Sequence, residues 1–249
     1  MSKKEAGNHP STFGKQLQIN PVYIIGEILL LFIIGLGFVK LVTPLFEENL
    51  ILKQIVVWFA NILLLIYVWI GLKLRGESWK ELGLTFNSLS WSEGFKTFLL
   101  SLLVTVLGLA AYILGGIVMA GITGTPETAD MAGYDYLKNN IGMLLLTLIG
   151  VYIVSSFGEE VIYRAFLISR ISKLGHDSKK ATIVAVLLSS IIFGFIHYDW
   201  GSAGIVQTAC MGLVMGICYI KLKRRLWILV LAHAYMDTIL MIGVYLASN

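Results

Sequence analysis

Apolar residues along this chain gather into long runs separated by short polar stretches. Seven such runs can be drawn, at about 22–43, 51–72, 94–120, 141–161, 181–198, 202–220 and 226–246. Each is about 20 residues long, enough to cross a hydrocarbon core of roughly 30 Å at 1.5 Å per helical residue. Backbone groups in lipid find no water, so a spanning segment must be a helix or a strand of a closed barrel. Barrel strands alternate apolar and polar residues, and these runs are too long and too continuous for that. The pattern predicts an all-α polytopic transmembrane bundle of about seven spans.

Composition agrees with the pattern. Of 249 residues, 57% are hydrophobic and 14% charged, with a mean hydropathy of +0.81. A soluble domain carries about 25% charged residues, so as a soluble globule this chain would leave too much apolar surface facing water. The net charge of +4 is modest, and the basic residues sit in loops rather than on one face. That argues for the lipid bilayer as the partner and against nucleic acid. Cys210 and Cys218 fall in one apolar run. On a single helix they stand about 12 Å apart, too far for a disulfide.

Loop charge gives an orientation. Residues 1–21 form a polar tail carrying Lys3, Lys4 and Lys15, broken by Pro10 and Pro21, with no cleavage site after the first run. The loop 73–90 carries Lys73, Arg75 and Lys80 against Glu77 and Glu81. Residues 164–180 hold Arg164, Arg170, Lys173, Lys179 and Lys180, and 221–225 hold Lys221, Lys223, Arg224 and Arg225. The 121–140 loop is acidic instead, with Glu127, Asp130 and Asp135 against Lys138. Lys and Arg mark the cytoplasmic side. The expectation is a multi-pass protein of the cell membrane, N-terminus cytoplasmic and C-terminus outside, as seven spans require. Three sections follow: the tail 1–21, N-terminal spans in 22–139, and the span-rich stretch 140–249. Residues 77–90 read as a short interfacial segment, and 121–140, Gly-rich with Pro126, as the long outer loop. Trp69, Trp79, Trp91, Trp200 and Trp227 lie near span ends, where such rings settle. Gly212 and Gly216 form a GxxxG pattern suited to close helix–helix packing.

Ionisable groups inside spans cost on the order of 2.5–3.5 kcal/mol each, so a sequence keeps them there only if they are paired, hydrated or used. Three clusters stand out. The first is Phe157-Gly158-Glu159-Glu160-Val161-Ile162-Tyr163-Arg164. Adjacent carboxylates repel, which suits one of them to proton transfer. On a helix Glu160 pairs with Arg164 at i,i+4, while Glu159 points elsewhere. Taken alone, the cluster is equally well an ion pair at a helix end. The second is Phe193-Gly194-Phe195-Ile196-His197 and the third His233-Ala234-Tyr235-Met236-Asp237. His233 and Asp237 share a helix face, so Asp237 can fix the imidazole or extend a polar network. His9 and His176 lie in polar segments and suggest no chemistry. Together the clusters offer what is needed to activate water and stabilise an oxyanion, or to hold a metal through His and Glu. Ser155 and Ser156 lack a nucleophile elbow, and no HExxH helix is present.

Glu159-Glu160-x-x-x-Arg164, then Phe193-x-x-x-His197, then His233-x-x-x-Asp237, in that order on three apolar helices, resemble the three motifs of the CPBP family. That family comprises the type II CAAX prenyl endopeptidases together with bacteriocin-processing and Abi-type bacterial proteins. The resemblance covers roughly residues 140–246. It implies hydrolysis of a peptide bond within or beside the membrane by an intramembrane protease, metallo- or glutamate-type. Glu159 would be the general base, with Glu160, Arg164, Tyr163 and Phe193 shaping its surroundings. His197 and His233 would polarise the carbonyl or hold the water, and Asp237, often Asn in eukaryotic members, would complete the site. A Zn²⁺ ion held by Glu159, His197 and His233, or no cofactor at all, is consistent with the same side chains. The implied substrate is a membrane-associated peptide or protein precursor, such as a bacteriocin or signalling-peptide leader. The chain's last residues, Leu246-Ala247-Ser248-Asn249, form no prenylation box.

Other readings of the same residues are a non-catalytic immunity or regulatory protein that binds a partner, and a proton-coupled transporter, which the absence of an internal repeat disfavours. The drawn spans also carry a conflict. With a helix ending at 161, Glu160 lies about 28 Å along it, near the cytoplasmic face, and His233 about 10 Å from that face. His197 then lies about 25 Å away, toward the outside. Convergence requires that 165–180 be partly embedded, or that the fifth helix be tilted or displaced.

Overall fold

The computed structural model describes residues 10–46, 49–85, 90–124 and 129–247. Lys3, Lys4, His9, Pro126, Glu127, Ser248 and Asn249 lie outside the described residues. Within them the chain forms helices and short turns, with no strand.

Polar residues ahead of the apolar runs start the helices. Asn20 accepts from the Val22 N–H at 3.0 Å, with Pro21 in the first position of α2 (Pro21–Val42). Asn49 does the same for Leu52 at 3.0 Å in α3 (Leu50–Arg75). Ser90 and Glu93 close a capping box on α4 (Trp91–Thr123). Each cap satisfies N–H groups that a helix leaves open at its first turn. Gly76 and Gly124 end α3 and α4 in left-handed backbone, at φ 69° and 75°, a conformation in which other residues are strained.

The polar stretch 1–21 contains a short helix, α1 (Thr12–Ile19), docked on the end of α3. The Ser11 N–H donates to the Leu74 carbonyl at 3.1 Å and Gln18 Nε2 to that of Arg75 at 2.7 Å. Beyond the 121–140 stretch, α5 (Ile141–Val151) and α6 (Ile168–Leu174) are the two ends of one 34-residue rod. Two π-helical stretches join them, Tyr152–Phe157 and Glu160–Leu167. The helix therefore does not end at 161 as the sequence suggested. Residues 158–168 are all buried, so Glu160 and Arg164, which look like an interfacial pair in the sequence, are enclosed by neighbouring helices and the rod runs on to Leu174.

After a turn come α7 (Lys179–Phe195), α8 (Gly201–Lys221) and α9 (Leu226–Leu246). Six helices are long and apolar enough to cross a membrane, and α7, with 17 residues, is the shorter seventh rod. The bundle is thus all-helical with about seven spans, as the hydropathy pattern predicts. α8 packs between α4 and α7, α9 lies against α4, and α2 pairs with α3. Small residues allow these approaches. A Cβ at Gly212 would stand 3.0 Å from Phe193 Cδ1, and one at Gly216 3.0 Å from Val186 Cγ1, both on α7.

One polar cluster ties the N-terminal helices to the rod. Glu27 of α2 is buried and pairs with Arg75 of α3 and, at 2.7 Å, with Arg170 of α6. Arg75 also reaches Glu77 at 2.7 Å, and Arg170 donates to the Leu17 carbonyl of α1. Gly71 leaves room for this, since a Cβ there would lie 2.7 Å from Glu27 Oε1. Removing one partner of a buried ion pair strands the other charge, which costs about 3–5 kcal/mol. Glu27→Ala, which strands the Arg170 guanidinium and leaves Arg75 with Glu77 alone, is expected to lower the unfolding temperature of the detergent-purified protein sharply. Lys15→Ala, on exposed α1 surface, should leave that temperature unchanged.

Candidate active site

The long rod resolves the depth conflict. Counted from the turn at 175–178, Glu160 stands about 21 Å up α6 and the π-helical stretch, and Phe193 about 21 Å up antiparallel α7. His197 follows one turn higher, at the level of Glu159 and Ser156. The additional length of the fourth helix, about 20 Å beyond residue 161, is what the drawn spans lacked. The feature observed is a fourth helix that continues from 165 to Leu174.

Glu160 is fully buried and its Oε1 is shared. Arg164 Nη1 lies 3.2 Å from it and His233 Nδ1 2.8 Å from it. The guanidinium of Arg164 in turn rests on the Phe193 ring, 4.0 Å from its centroid, a cation–π contact in a dry setting. Phe193 also meets Tyr163 edge-on at 5.2 Å, His197 at 4.9 Å and His233 at 6.2 Å. The three motifs therefore interlock through one aromatic ring and one carboxylate.

The carboxylate that orients His233 is Glu160 rather than Asp237. Since a carboxylate accepts, His233 Nδ1 carries the proton and donates to it. Nε2 then faces the other two acids, 3.9 Å from Glu159 Oε2 and 3.7 Å from Asp237 Oδ1. Both separations exceed a direct hydrogen bond and match the span of a bridging water. Asp237 is held in place by Ser156, whose hydroxyl donates to Oδ2 at 2.7 Å. His197 donates from Nδ1 to the Phe193 carbonyl at 2.8 Å, leaving Nε2 free.

Glu159, Tyr163, His197 and Asp237 line one cavity of about 1040 Å³. Its walls come from α2 and α3 as well, including Asn61 and, farther out, Lys40 and Lys53. His233 and Glu160 are buried behind this lining. Among the described residues no group of three or more His, Cys, Asp or Glu side chains could hold a metal ion. His197 and His233 both sit against the Phe193 ring.

Sequence reasoning missed Ser156 and the Tyr134 and Trp200 side chains that border the cavity. Ser156 offered one signal: a small polar residue one helical turn before Glu159 in an otherwise apolar run. It was weighed only as a nucleophile, whereas its hydroxyl serves as a donor to a carboxylate.

Residues 141–239 match the family model described as Type II CAAX prenyl endopeptidase Rce1-like. The matched segment contains the whole interlocked set from Ser156 to Asp237. The Rce1-like description makes a membrane protease of the CAAX type the class this segment is similar to. No curated protein and no solved structure matches the chain.

Loss of the Ser156 hydrogen bond leaves a buried carboxylate oxygen without its donor, a cost of about 1–3 kcal/mol. Ser156→Ala is expected to lower the unfolding temperature measurably, whereas Ser155→Ala should not.

Proposed function

We propose that this protein is an intramembrane endopeptidase that hydrolyses a peptide bond in a membrane-associated peptide or protein precursor. The observation that carries the reading is the convergence of Glu159 and Asp237 on His233 Nε2, at 3.9 and 3.7 Å, beside a cavity of about 1040 Å³. Such an arrangement holds a water between a base and two orienting groups.

Glu159 is the general base. It takes a proton from the water, whose oxygen bonds to the scissile carbonyl carbon while the C=O pair moves onto oxygen. When the tetrahedral species collapses, the C–N bond breaks and the amine nitrogen takes the proton from Glu159. The products are a carboxylate and an amine, and Glu159 is restored. Asp237 and His233 fix the position of the water, and Glu160 with Arg164 keeps His233 in the tautomer this requires. A Zn²⁺ ion, if bound, would supply Lewis acidity to the same water.

The charge of the connecting loops supports a cytoplasmic N-terminus and an outer C-terminus. In that orientation the Lys40–Lys53 end of the cavity faces outward, so the reading favours substrates presented at the outer leaflet. Leader-bearing bacteriocin or signalling precursors are of that kind.

The test is cleavage of a panel of quenched peptides by the detergent-purified protein. Glu159→Gln keeps the shape of the side chain and removes the base, and is expected to lower the rate by roughly 10²–10⁴-fold, with His233→Ala similarly impaired. Cleavage undiminished by either substitution would sink the reading and leave a non-catalytic binding role. A chelator arm then separates chemistries: activity lost to chelation and restored by Zn²⁺ assigns a metal to the water, and activity that persists assigns the work to Glu159 alone.

A further inference from the structure

Hydrolysis at this site places a negative charge on the former carbonyl oxygen, and preorganised donors aimed at that oxygen are usually the largest source of rate. Among the motif residues that face the cavity, Tyr163 alone carries a side-chain O–H donor. Glu159 and Asp237 accept when ionised. The Nδ1 proton of His197 is engaged by the Phe193 carbonyl at 2.8 Å, so the neutral ring presents Nε2 as an acceptor. His233 gives its Nδ1 proton to Glu160 and stands behind the lining.

Tyr134 brings a second phenol to the cavity, from outside the motifs. It belongs to the turn Ala132–Leu137, between α4 and α5 and outside the segment that matches the family model. The turn is firmly anchored. Leu137 is fully buried in a cluster with Leu144, Met241 and Val244. The Asp130 N–H donates to the Trp200 carbonyl at 3.0 Å and the Asn139 N–H to that of Tyr245 at 3.3 Å. The Tyr134 ring meets Trp200 edge-on at 6.4 Å. Held this way, Tyr134 lines the same cavity as Glu159, His197 and Asp237. Its hydroxyl has no hydrogen-bond partner among the described residues. Burial, then the charges of Asp237, Tyr136 and Glu159, push the phenol well above its ordinary pKa, so it stays an O–H donor at any working pH.

We propose that Tyr134 is a catalytic residue, its phenol donating to the oxyanion that forms on the scissile carbonyl. The proposal rests on the endopeptidase reading above. As the water oxygen bonds to carbon and the C=O pair moves onto oxygen, the Tyr134 O–H strengthens its hydrogen bond to that oxygen. When the C–N bond breaks the pair returns to the carbonyl, the amine takes the proton from Glu159, and Tyr134 keeps its own proton throughout.

Tyr134→Phe removes only the hydroxyl. In the peptide assay it is expected to lower kcat roughly 10²-fold while KM stays within about twofold, because the donor acts on the transition state rather than on bound substrate. Tyr136→Phe, whose hydroxyl instead accepts from Thr147 Oγ1 at 3.4 Å, should leave both constants unchanged. A phosphinic peptide carrying the tetrahedral anion should bind the Tyr134→Phe protein more weakly than wild type by a similar factor. Should Tyr134→Phe fail to fold, 3-fluorotyrosine at position 134 keeps the shape and acidifies the phenol, and is expected to raise kcat. Wild-type kcat in Tyr134→Phe, in an assay where Glu159→Gln is inactive, overturns the role of Tyr134 alone. So does an unchanged kcat with fluorotyrosine, or a rate loss that appears wholly in KM. If the wild-type protein cleaves no peptide, the endopeptidase reading fails first and the role of Tyr134 falls with it.

Discussion

A single carboxylate oxygen, Glu160 Oε1, lies between Arg164 at 3.2 Å and His233 at 2.8 Å with no access to solvent. An unpaired charge at that depth would be prohibitive, so the three groups exist only as a set. Their pairing fixes two helices relative to each other, the rod that carries Glu160 and α9 that carries His233. The Phe193 ring under Arg164 brings in α7 as the third. The position of every group facing the cavity follows from this. Glu159 is the neighbour of Glu160, His197 lies one turn beyond Phe193, and Asp237 lies one turn beyond His233.

This arrangement explains a division of labour between two adjacent glutamates. In a regular helix consecutive side chains diverge by about 100°, so Glu159 and Glu160 cannot serve the same partner. One is spent on structure, held by Arg164 and His233. The other is left without a direct ionic partner and faces the cavity. π-Helical winding on both sides of the pair is a recurrent feature of functional sites in helices. It lets the rod present Ser156 toward Asp237, Glu159 toward the cavity and Arg164 toward Phe193 within less than three turns.

Much of this was legible in the sequence, and the limits of that reading are physical. Long apolar runs report helices because lipid leaves the backbone no alternative, and the ordered polar clusters report a site because charge in a span needs a reason. The end of the fourth helix was misplaced because hydropathy registers a charged residue without registering its partner. Arg164 and Arg170 are counted as polar, yet both are buried against acids or an aromatic ring. From its i,i+4 spacing Asp237 could either fix the His233 imidazole or extend a polar network. Glu160, 73 residues away in sequence, fixes the imidazole, and no local rule contains that contact. Tyr134 escaped for a related reason: a tyrosine in an outer loop carries no signal until α9 and Trp200 are seen to hold it over the cavity.

The buried ion cluster of Glu27, Arg75 and Arg170 gives the N-terminal helices a role beyond membrane anchoring. Arg170 lies about 15 Å farther along the rod than Glu160, away from the cavity. At that level α2 and α3 are drawn against α6 by buried ion pairs. Toward the other end the cavity is lined by residues of both α3 and the rod, with Asn61 and Lys53 from α3 and Glu159 and Tyr163 from the rod. Residues 141–239 thus carry the interlocked motif residues, but they cannot enclose the cavity alone. Much of the lining comes from residues outside that segment, so on the endopeptidase reading selectivity among peptides rests in part on α2, α3 and the turn that holds Tyr134. Proteins sharing the three motifs can therefore differ in what they accept without altering the residues that surround the water.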